Sequence, residues 1–214
     1  MITLLKNIPI KIPADLVLSR LKFAKYKTKA SKKIFDFISE AMEEGYALIE
    51  PKASYEIFDV KIFRDKVRIS GRRSVIKSRS LAAHLKGASR IALFVCTIGG
   101  QLTRKIKDYA AKGEIARATV LDAVGSEAVE ALAEKVDDLI GMRAGSEGYS
   151  AVMRFSPGYG DWMISDQVKI LKLLRANKIG VKAMKSCIMV PEKSVTACVG
   201  LIRKGPRPIR KIYE

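Results

Sequence analysis

Ile91-Ala92-Leu93-Phe94-Val95-Cys96-Thr97-Ile98 runs directly into Gly99-Gly100, and the stretch Gln101 to Ala111 follows. A continuous apolar run bounded by glycines predicts a buried strand, and the stretch after it predicts a helix. This layout also places backbone N–H groups where they can meet an anion. The glycines do not form the GxGxxG pattern, however, so a tight strand-to-helix turn is the simpler interpretation.

Outward from this unit, residues 54–70 alternate between apolar and polar positions around Arg64-Asp65-Lys66, which predicts an antiparallel hairpin. Strands and helices mix without a steady βαβ rhythm, so we expect an α+β fold, a mainly antiparallel twisted sheet packed with several helices. The other predicted helices are Asp15 to Phe23, a helix from Thr28 that Pro51 closes, Ser78 to Leu85, Gly113 to Ile140 and Ser165 to Ala176. The other predicted strands are Ser150 to Phe155, Gly180 to Val190 and Ser194 to Ile202.

The 214 residues suit a single domain over 1–214, with a basic N-terminal arm at 1–27 and an extended tail at 205–214. A glycine-rich connector (Gly141, Gly145, Gly148) is expected after the long helix. No apolar stretch reaches 18 residues and the N-terminus lacks a leader pattern, so we expect a cytoplasmic protein without a membrane partner. Three cysteines without a CxxC pair predict buried free thiols rather than a disulfide framework or a zinc site.

The net charge of +18 leaves three interpretations open: a nucleic-acid partner, an acidic protein or cofactor, or a heavily solvated surface. Only two Asn and two Gln accompany the abundant Lys and Glu, a composition typical of heat-adapted proteins. The basic residues are spread along the chain, and aromatic residues do not interleave with them as a stacking platform requires. A nucleic-acid partner is therefore the least favoured of the three interpretations of the charge.

Catalytic motifs are absent from the sequence, which contains no HExxH, no GxSxG and no paired Cys/His cluster. The only histidine, His84, lies on a predicted helix and is expected to be a surface residue. We predict no catalytic residue and no metal site. The loop Arg154-Phe155-Ser156-Pro157-Gly158-Tyr159-Gly160-Asp161-Trp162 is the most unusual stretch, and it is either a binding loop or a plain Pro-Gly turn.

Three blocks of sequence resemble the activation (reactivation) domain of cobalamin-dependent methionine synthase. Arg154-x-x-x-Gly158-Tyr159 resembles the RxxxGY motif of that family, and Lys185 to Thr196 is similar to its ESxAMxPxxSVSG stretch. Gly125-Ser126-Glu127-Ala128, on the long predicted helix, resembles a helical segment of the family that holds a ligand-contacting glutamate. The resemblance extends from about residue 90 to residue 200.

The resemblance implies a freestanding, short reactivation subunit that takes part in methionine biosynthesis. Such a subunit binds S-adenosylmethionine (AdoMet) and supports reductive remethylation of inactive cob(II)alamin, which the synthase partner carries. A flavodoxin-like acidic reductant supplies the electron, which would account for the positive charge. The alternatives are an AdoMet-binding accessory protein for another corrinoid protein and a basic nucleic-acid-binding module.

The resemblance also implies roles for particular residues. Arg154 would hold the methionine carboxylate, and Glu127 would balance the ammonium or the sulfonium of AdoMet. Gly158 would allow close approach of ligand or backbone, and Tyr159 would face the adenosine. Ser156 and Pro157 would shape the main chain around it. The sequence departs from the family at Lys185, where the family has glutamate, and at 198–200, where the family has aromatic residues.

Overall fold

The computed structural model describes residues 1–22, 32–72 and 74–205. The strands within these ranges are β1 (Thr3–Lys6), β2 (Lys52–Ile62), β3 (Lys66–Ile69), β4 (Ser74–Lys77), β5 (Arg90–Thr97), β6 (Tyr149–Ala151), β7 (Lys182–Ala183), β8 (Met189–Val190) and β9 (Ser194–Arg203). The helices are α1 (Ala14–Arg20), α2 (Lys32–Leu48), α3 (Arg79–His84), α4 (Gln101–Ala111), α5 (Ile115–Ser146) and α6 (Asp166–Leu173), with a 3₁₀ turn at Ala176–Ile179.

The main sheet is antiparallel and has the strand order β4-β3-β2-β5-β9-β6, with β1 paired to the start of β2. Strand β5, the apolar run at 91–98, lies at the centre and is buried on both faces. The predicted α+β class with a mainly antiparallel sheet is confirmed. None of the described helices is long and apolar enough to cross a membrane.

The alternation of β5 divides its side chains between two cores. Ala92, Phe94 and Cys96 pack towards α5 with α1 and α2, whereas Leu93 and Val95 pack towards α3 and α6. Each face of a sheet receives every second side chain, so a fully apolar strand can supply both cores at once. This arrangement explains why the run lacks an amphipathic pattern.

The predicted hairpin is present, with Lys61 opposite Arg68 and Ile62 opposite Val67 across β2 and β3. Helix α4 has the predicted bounds. The carboxylate of Glu50 accepts a hydrogen bond from Nε2 of Gln101, the first residue of α4, at 2.6 Å. An anion from the chain itself thus already lies beside this helix N-terminus, which favours the plain turn at Gly99-Gly100.

The N-terminal stretch is not a free arm within its described part. Strand β1 pairs with β2, and Val17 of α1 is fully buried in the α5-side core. Residues 23–27 of the predicted arm and residues 206–214 of the predicted tail lie outside the described ranges. In α2, Ile38 is buried in the α5-side core, whereas Ile34 and Phe35, one turn earlier, are exposed.

Helix α5 is longer than predicted, because it continues through Gly141 and Gly145 to Ser146. The glycines suggested a connector, since glycine lowers helix stability. Only Gly148, with φ 82°, adopts the left-handed conformation of a turn. The long helix packs against the sheet and against helices α1, α2 and α4, and this tertiary packing overrides the local preference.

Two further predictions are wrong. Residues 180–190 do not form one strand but the short pair β7 and β8, joined by a turn that contains Cys187. Cys187 is therefore only half-buried, whereas Cys96 and Cys198 are buried free thiols as predicted. The helix predicted at 165–176 ends at Leu173, and the chain then enters the 3₁₀ turn.

The continuity of α5 can be tested with Gly141→Ala. The Cβ would make ordinary contact with Cβ of Ala151 at 3.9 Å, so the variant should be more stable by about 0.5–1 kcal/mol. Gly148→Ala is the matched control and should cost about 1–2 kcal/mol, because its φ is positive. Urea unfolding measures both, and loss of stability in Gly141→Ala would show that the helix ends earlier.

Candidate ligand site on helix α5

Backbone pairing at the edge of the sheet sets the position of Arg154. Val152 donates its N–H to the carbonyl of Gly200, and Phe155 exchanges two backbone hydrogen bonds with Cys198, at 2.9 and 2.8 Å. Three residue steps along this edge, from 152 to 155, therefore match only two steps along β9, from 200 to 198. The edge segment thus contains one extra residue at 153–154, which is a β-bulge. Val152 and Phe155 both pack into the α3-side core, while Arg154 is directed to the α5 side.

Only one of the two terminal guanidinium nitrogens of Arg154 has a hydrogen-bond partner among the described residues. Its Nη2 lies 2.7 Å from Oε2 of Glu130 on α5, and three-quarters of the side chain is buried. Its Nη1 is buried and lacks a hydrogen-bond partner among the described residues. A buried, unpaired donor on a charged group is costly and points to a missing acceptor.

Asp137 lies two turns beyond Glu130 on α5. Burial raises the pKa of the Asp137 carboxyl, and the nearby Arg154 guanidinium opposes that rise. Asp137 also lines a shallow depression of about 400 Å³ between α5 and the edge of β6, together with Gly141 and Met153. The depression is lined by Met153, the neighbour of Arg154 in the chain, and by Asp137, whose carboxyl is affected by the Arg154 guanidinium.

The block at 185–196 reaches α5 through Lys193. Its Nζ lies 2.7 Å from Oδ1 of Asp122 and 2.8 Å from Oγ of Ser126. The Lys193 side chain runs across Gly125, where an added Cβ would lie 3.2 Å from Cε of Lys193 and 2.6 Å from Cδ2 of Leu102. Gly125 thus permits close packing of the Lys193 and Leu102 side chains against α5.

Asp122, Ser126 and Glu130 are four residues apart, so they lie on one face of α5. The structure therefore brings the three sequence blocks to one strip of this helix. Glu127 lies beside this strip and is buried, and its Oε1 accepts a hydrogen bond from Nε of Arg20 in α1 at 2.6 Å. The carboxylate that meets the loop arginine is thus Glu130, which we had not predicted.

The loop after Arg154 is a compact turn. Gly158 donates to the carbonyl of Trp162 at 2.7 Å, and Tyr159 donates to that of Ser156 at 3.3 Å. Gly158 has φ 99°, a conformation that favours glycine. Pro157 is buried, whereas Tyr159 is 66% exposed and its ring lies 6.1 Å from that of Phe155. The loop therefore has a hydrogen-bonded main chain and one largely exposed aromatic ring, that of Tyr159.

Helix α3 holds this loop at both ends. The Asp161 carboxylate accepts hydrogen bonds from Ser78 Oγ at 2.6 Å and from the backbone N–H groups of Ser80 and Arg79. At the other end, His84 stacks on Phe155 and its Nε2 donates to the carbonyl of Met153 at 2.6 Å. His84 is half-buried, so it is a packing residue rather than the predicted surface residue.

The site is acidic although the whole chain is strongly basic. Six acidic residues belong to the described part of α5 from Asp122 onward: Asp122, Glu127, Glu130, Glu134, Asp137 and Asp138. An α-helix face that concentrates carboxylates attracts a cationic ligand. Of the two cations that meet this strip, Lys193 is paired with Asp122 and Ser126, whereas Arg154 has an unpaired donor that suits a carboxylate of a ligand.

Comparison with known proteins finds a likeness of fold. No protein-family model matches the sequence, and no curated protein matches it. Among solved structures, the MetH reactivation domain bound to AdoHcy superposes with a TM-score of 0.70. The alignment covers 97% of this chain and 80% of that one, at 14% sequence identity. The chain therefore has the fold of a MetH reactivation domain.

The role of Asp161 can be tested by pH. Hydrogen bonds from Ser78, then from the backbone of Ser80 and Arg79, hold the pKa of the Asp161 carboxyl well below its usual range. A group with a lowered folded-state pKa contributes stability above its unfolded pKa of about 4, and this contribution is lost as the pH falls through the folded value. We expect Asp161→Asn to lower the melting temperature at neutral pH.

The difference between Asp161→Asn and the wild type should shrink as the pH falls from about 4 to about 2. Asp65→Asn, an exposed aspartate in the β2–β3 turn, is the control and should change little. Thermal unfolding followed by circular dichroism measures both. A deficit in Asp161→Asn that stays constant over this pH range would contradict the proposed capping of α3.

Proposed function

We propose that this chain binds AdoMet in the strip between α5 and the Arg154–Trp162 loop. The observation that carries the proposal is the half-used guanidinium of Arg154, with Nη2 on Glu130 and Nη1 buried without a partner among the described residues. A ligand carboxylate would supply the acceptor that Nη1 lacks. The fold shared with the MetH reactivation domain bound to AdoHcy supports the same ligand class.

Arg154 and Glu130 together suit an α-amino acid group, which carries a carboxylate and an ammonium close together. Arg154 would take the carboxylate, and Glu130 would exchange part of its contact with Arg154 for the ammonium. Glu127 lies beside this strip, where Arg20 holds its carboxylate in place. From there it would attract the positive charge of the ligand. The acidic strip on α5 also suits the positive sulfonium of AdoMet.

The loop would hold the adenosine. Gly158 leaves the main chain accessible, and Ser156 and Pro157 set its path through the turn. The exposed ring of Tyr159 offers a face for stacking. The residues after β8, where the family has aromatics, are the buried Cys198 and Val199 of β9, so Tyr159 would carry more of the contact here.

The function that follows is that of a reactivation subunit for a cobalamin-dependent methionine synthase. AdoMet, when bound, supplies the methyl group, and the partner carries the cobalamin. The residues of this chain would hold the donor in a fixed position, an effect worth up to about 7–11 kcal/mol for well-oriented reactants in general. An acidic, flavodoxin-like reductant would be attracted by the net charge of +18.

Calorimetric titration with AdoMet tests the site. Wild type should bind, and Arg154→Ala should weaken binding by at least about tenfold, because the carboxylate loses a bidentate partner. Arg154→Lys keeps the positive charge but not the planar guanidinium, so its affinity for AdoMet should lie between those of wild type and Arg154→Ala. Absence of binding by folded wild type would contradict the proposal.

Glu130→Gln and Glu134→Gln form a matched pair on α5. The first should weaken AdoMet binding by roughly tenfold, since it removes the partner of the ammonium, and the second should weaken it by no more than about twofold, since it only reduces the charge of the strip. Glu134 is exposed and lies one turn away, so it controls for a general loss of negative charge. Equal losses in the two variants would show that only the net charge of the helix matters.

Remethylation tests the function separately from binding. Methionine synthase that lacks its own reactivation domain is converted to the cob(II)alamin form and mixed with this chain, AdoMet and a chemical reductant. We expect methylcobalamin to form, as seen in its absorption spectrum, with wild type but not with Arg154→Ala. AdoMet binding without methylcobalamin would instead favour an accessory protein for another corrinoid protein.

A further inference from the structure

The opposite edge of the sheet contains a gap. Strand β1 pairs with β2 as far as Tyr55, and β3 begins to pair with it at Val60. Neither of these two strands pairs with residues 56–58. A cavity of about 300 Å³ opens beside this gap, where β2, the β3–β4 turn and the 3₁₀ turn meet. We refer to this cavity as the edge cavity.

Glu56 is the acidic residue of the edge cavity, and it is 94% buried. Its Oε1 accepts from the main-chain nitrogen of Met1 at 2.8 Å. The positively charged amino group of Met1 thus pairs with Oε1, whereas Oε2 lacks a hydrogen-bond partner among the described residues and lies 3.6 Å from Nη2 of Arg72. A buried carboxylate oxygen without a donor is costly, so a ligand that donates a hydrogen bond here would be favoured.

Three cationic side chains line the edge cavity together with Glu56: Arg72, Arg175 and Lys178. Within the described residues, Arg175 and Lys178 have no salt-bridge partner, and Arg72 reaches only Glu56. Arg175 has φ 49°, a left-handed conformation that is uncommon for a residue other than glycine. Such conformations cluster at ligand sites, where the surrounding structure holds them.

A ligand for the edge cavity must therefore meet two requirements. It must be an anion for the three cations, and it must also donate a hydrogen bond to Oε2 of Glu56. A carboxylate or a sulfate at neutral pH satisfies only the first requirement, because neither carries a proton. A phosphate group that retains one P–OH satisfies both, since its other oxygens accept and its hydroxyl donates.

We infer that the edge cavity is a binding site for a protonated phosphate group, either free hydrogen phosphate or a phosphate monoester. Phosphodiesters such as nucleic-acid backbones lack the P–OH and are excluded by Glu56. The site lies beyond the proposed AdoMet function, because β5, β9 and β6 separate its strand from the Arg154 edge. That separation is about 15 Å at the usual spacing of strands.

Titration with inorganic phosphate and with sulfate at about pH 8 tests the inference, since phosphate still carries one proton there whereas sulfate carries none. Calorimetry should show phosphate binding at least about tenfold more tightly than sulfate. Equal affinities would overturn the inference by showing a general cationic surface. Failure of both phosphate and a monoester to bind folded protein would overturn it as well.

Arg175→Gly is the first variant, because glycine tolerates the positive φ and should preserve the fold. It should weaken phosphate binding by at least about tenfold. Lys172→Ala is the control, since Lys172 is an exposed lysine of α6 that does not line the edge cavity. Equal losses in the two variants would contradict a specific site.

Glu56→Gln tests directly whether Glu56 accepts a hydrogen bond from the P–OH group of the ligand. An amide can donate to sulfate, so the preference for phosphate over sulfate should disappear. A preference that survives in the folded variant would overturn the role of Glu56. Should this variant not fold, the Arg175→Gly result and the wild-type preference decide the question.

Methyl phosphate separates the two sources of the ligand. Its second pKa is about 6, so it keeps its P–OH at about pH 5 and loses it at about pH 8. Tighter binding than inorganic phosphate at the lower pH would identify a monoester as the ligand. Tighter binding of inorganic phosphate at both pH values would identify the free ion.

Discussion

The pair of hydrogen bonds between Phe155 and Cys198 determines the direction of the candidate site residues. Together with the bond from Val152 to Gly200, it creates the bulge that directs Arg154 towards α5 and Phe155 towards the opposite core. Phe155 then stacks between His84 and Trp162, which fixes the loop against α3. A one-residue change in this register would direct Phe155 to the α5 side and remove Arg154 from Glu130.

Helix α5 gives the site its chemical character. The helix places several carboxylates in a strip on a protein whose net charge is +18, and the arginine at the tip of the bulge meets that strip from the sheet edge. Lys193 neutralises one end of the strip through Asp122 and Ser126. What remains at the Arg154 end is an acidic surface with one unpaired guanidinium nitrogen, a combination that suits a zwitterionic ligand with an additional positive charge.

The hairpin with its alternating pattern, the continuous apolar run of β5 and helix α4 could be predicted from the sequence. The end of α5 could not, because Gly141 and Gly145 disfavour helix locally and only packing against the sheet keeps them helical. The pairing of Arg154 with Glu130 could not be predicted for a related reason. Glu127 and Glu130 lie on neighbouring faces of one helix, and the bulge that selects Glu130 depends on a pairing with β9, over forty residues later in the chain.

The two sides of the sheet thus carry two different polar arrangements, the strip on α5 that meets Arg154 beyond β6 and the edge cavity at Glu56 between β1 and β3. The central claim concerns the first, and a crystal structure of the chain grown with S-adenosylhomocysteine tests it most directly. We expect the ligand carboxylate on Nη1 of Arg154, the ammonium on Glu130 and the adenosine against Tyr159. A ligand bound elsewhere, with the Arg154–Glu130 pair unchanged, would contradict it.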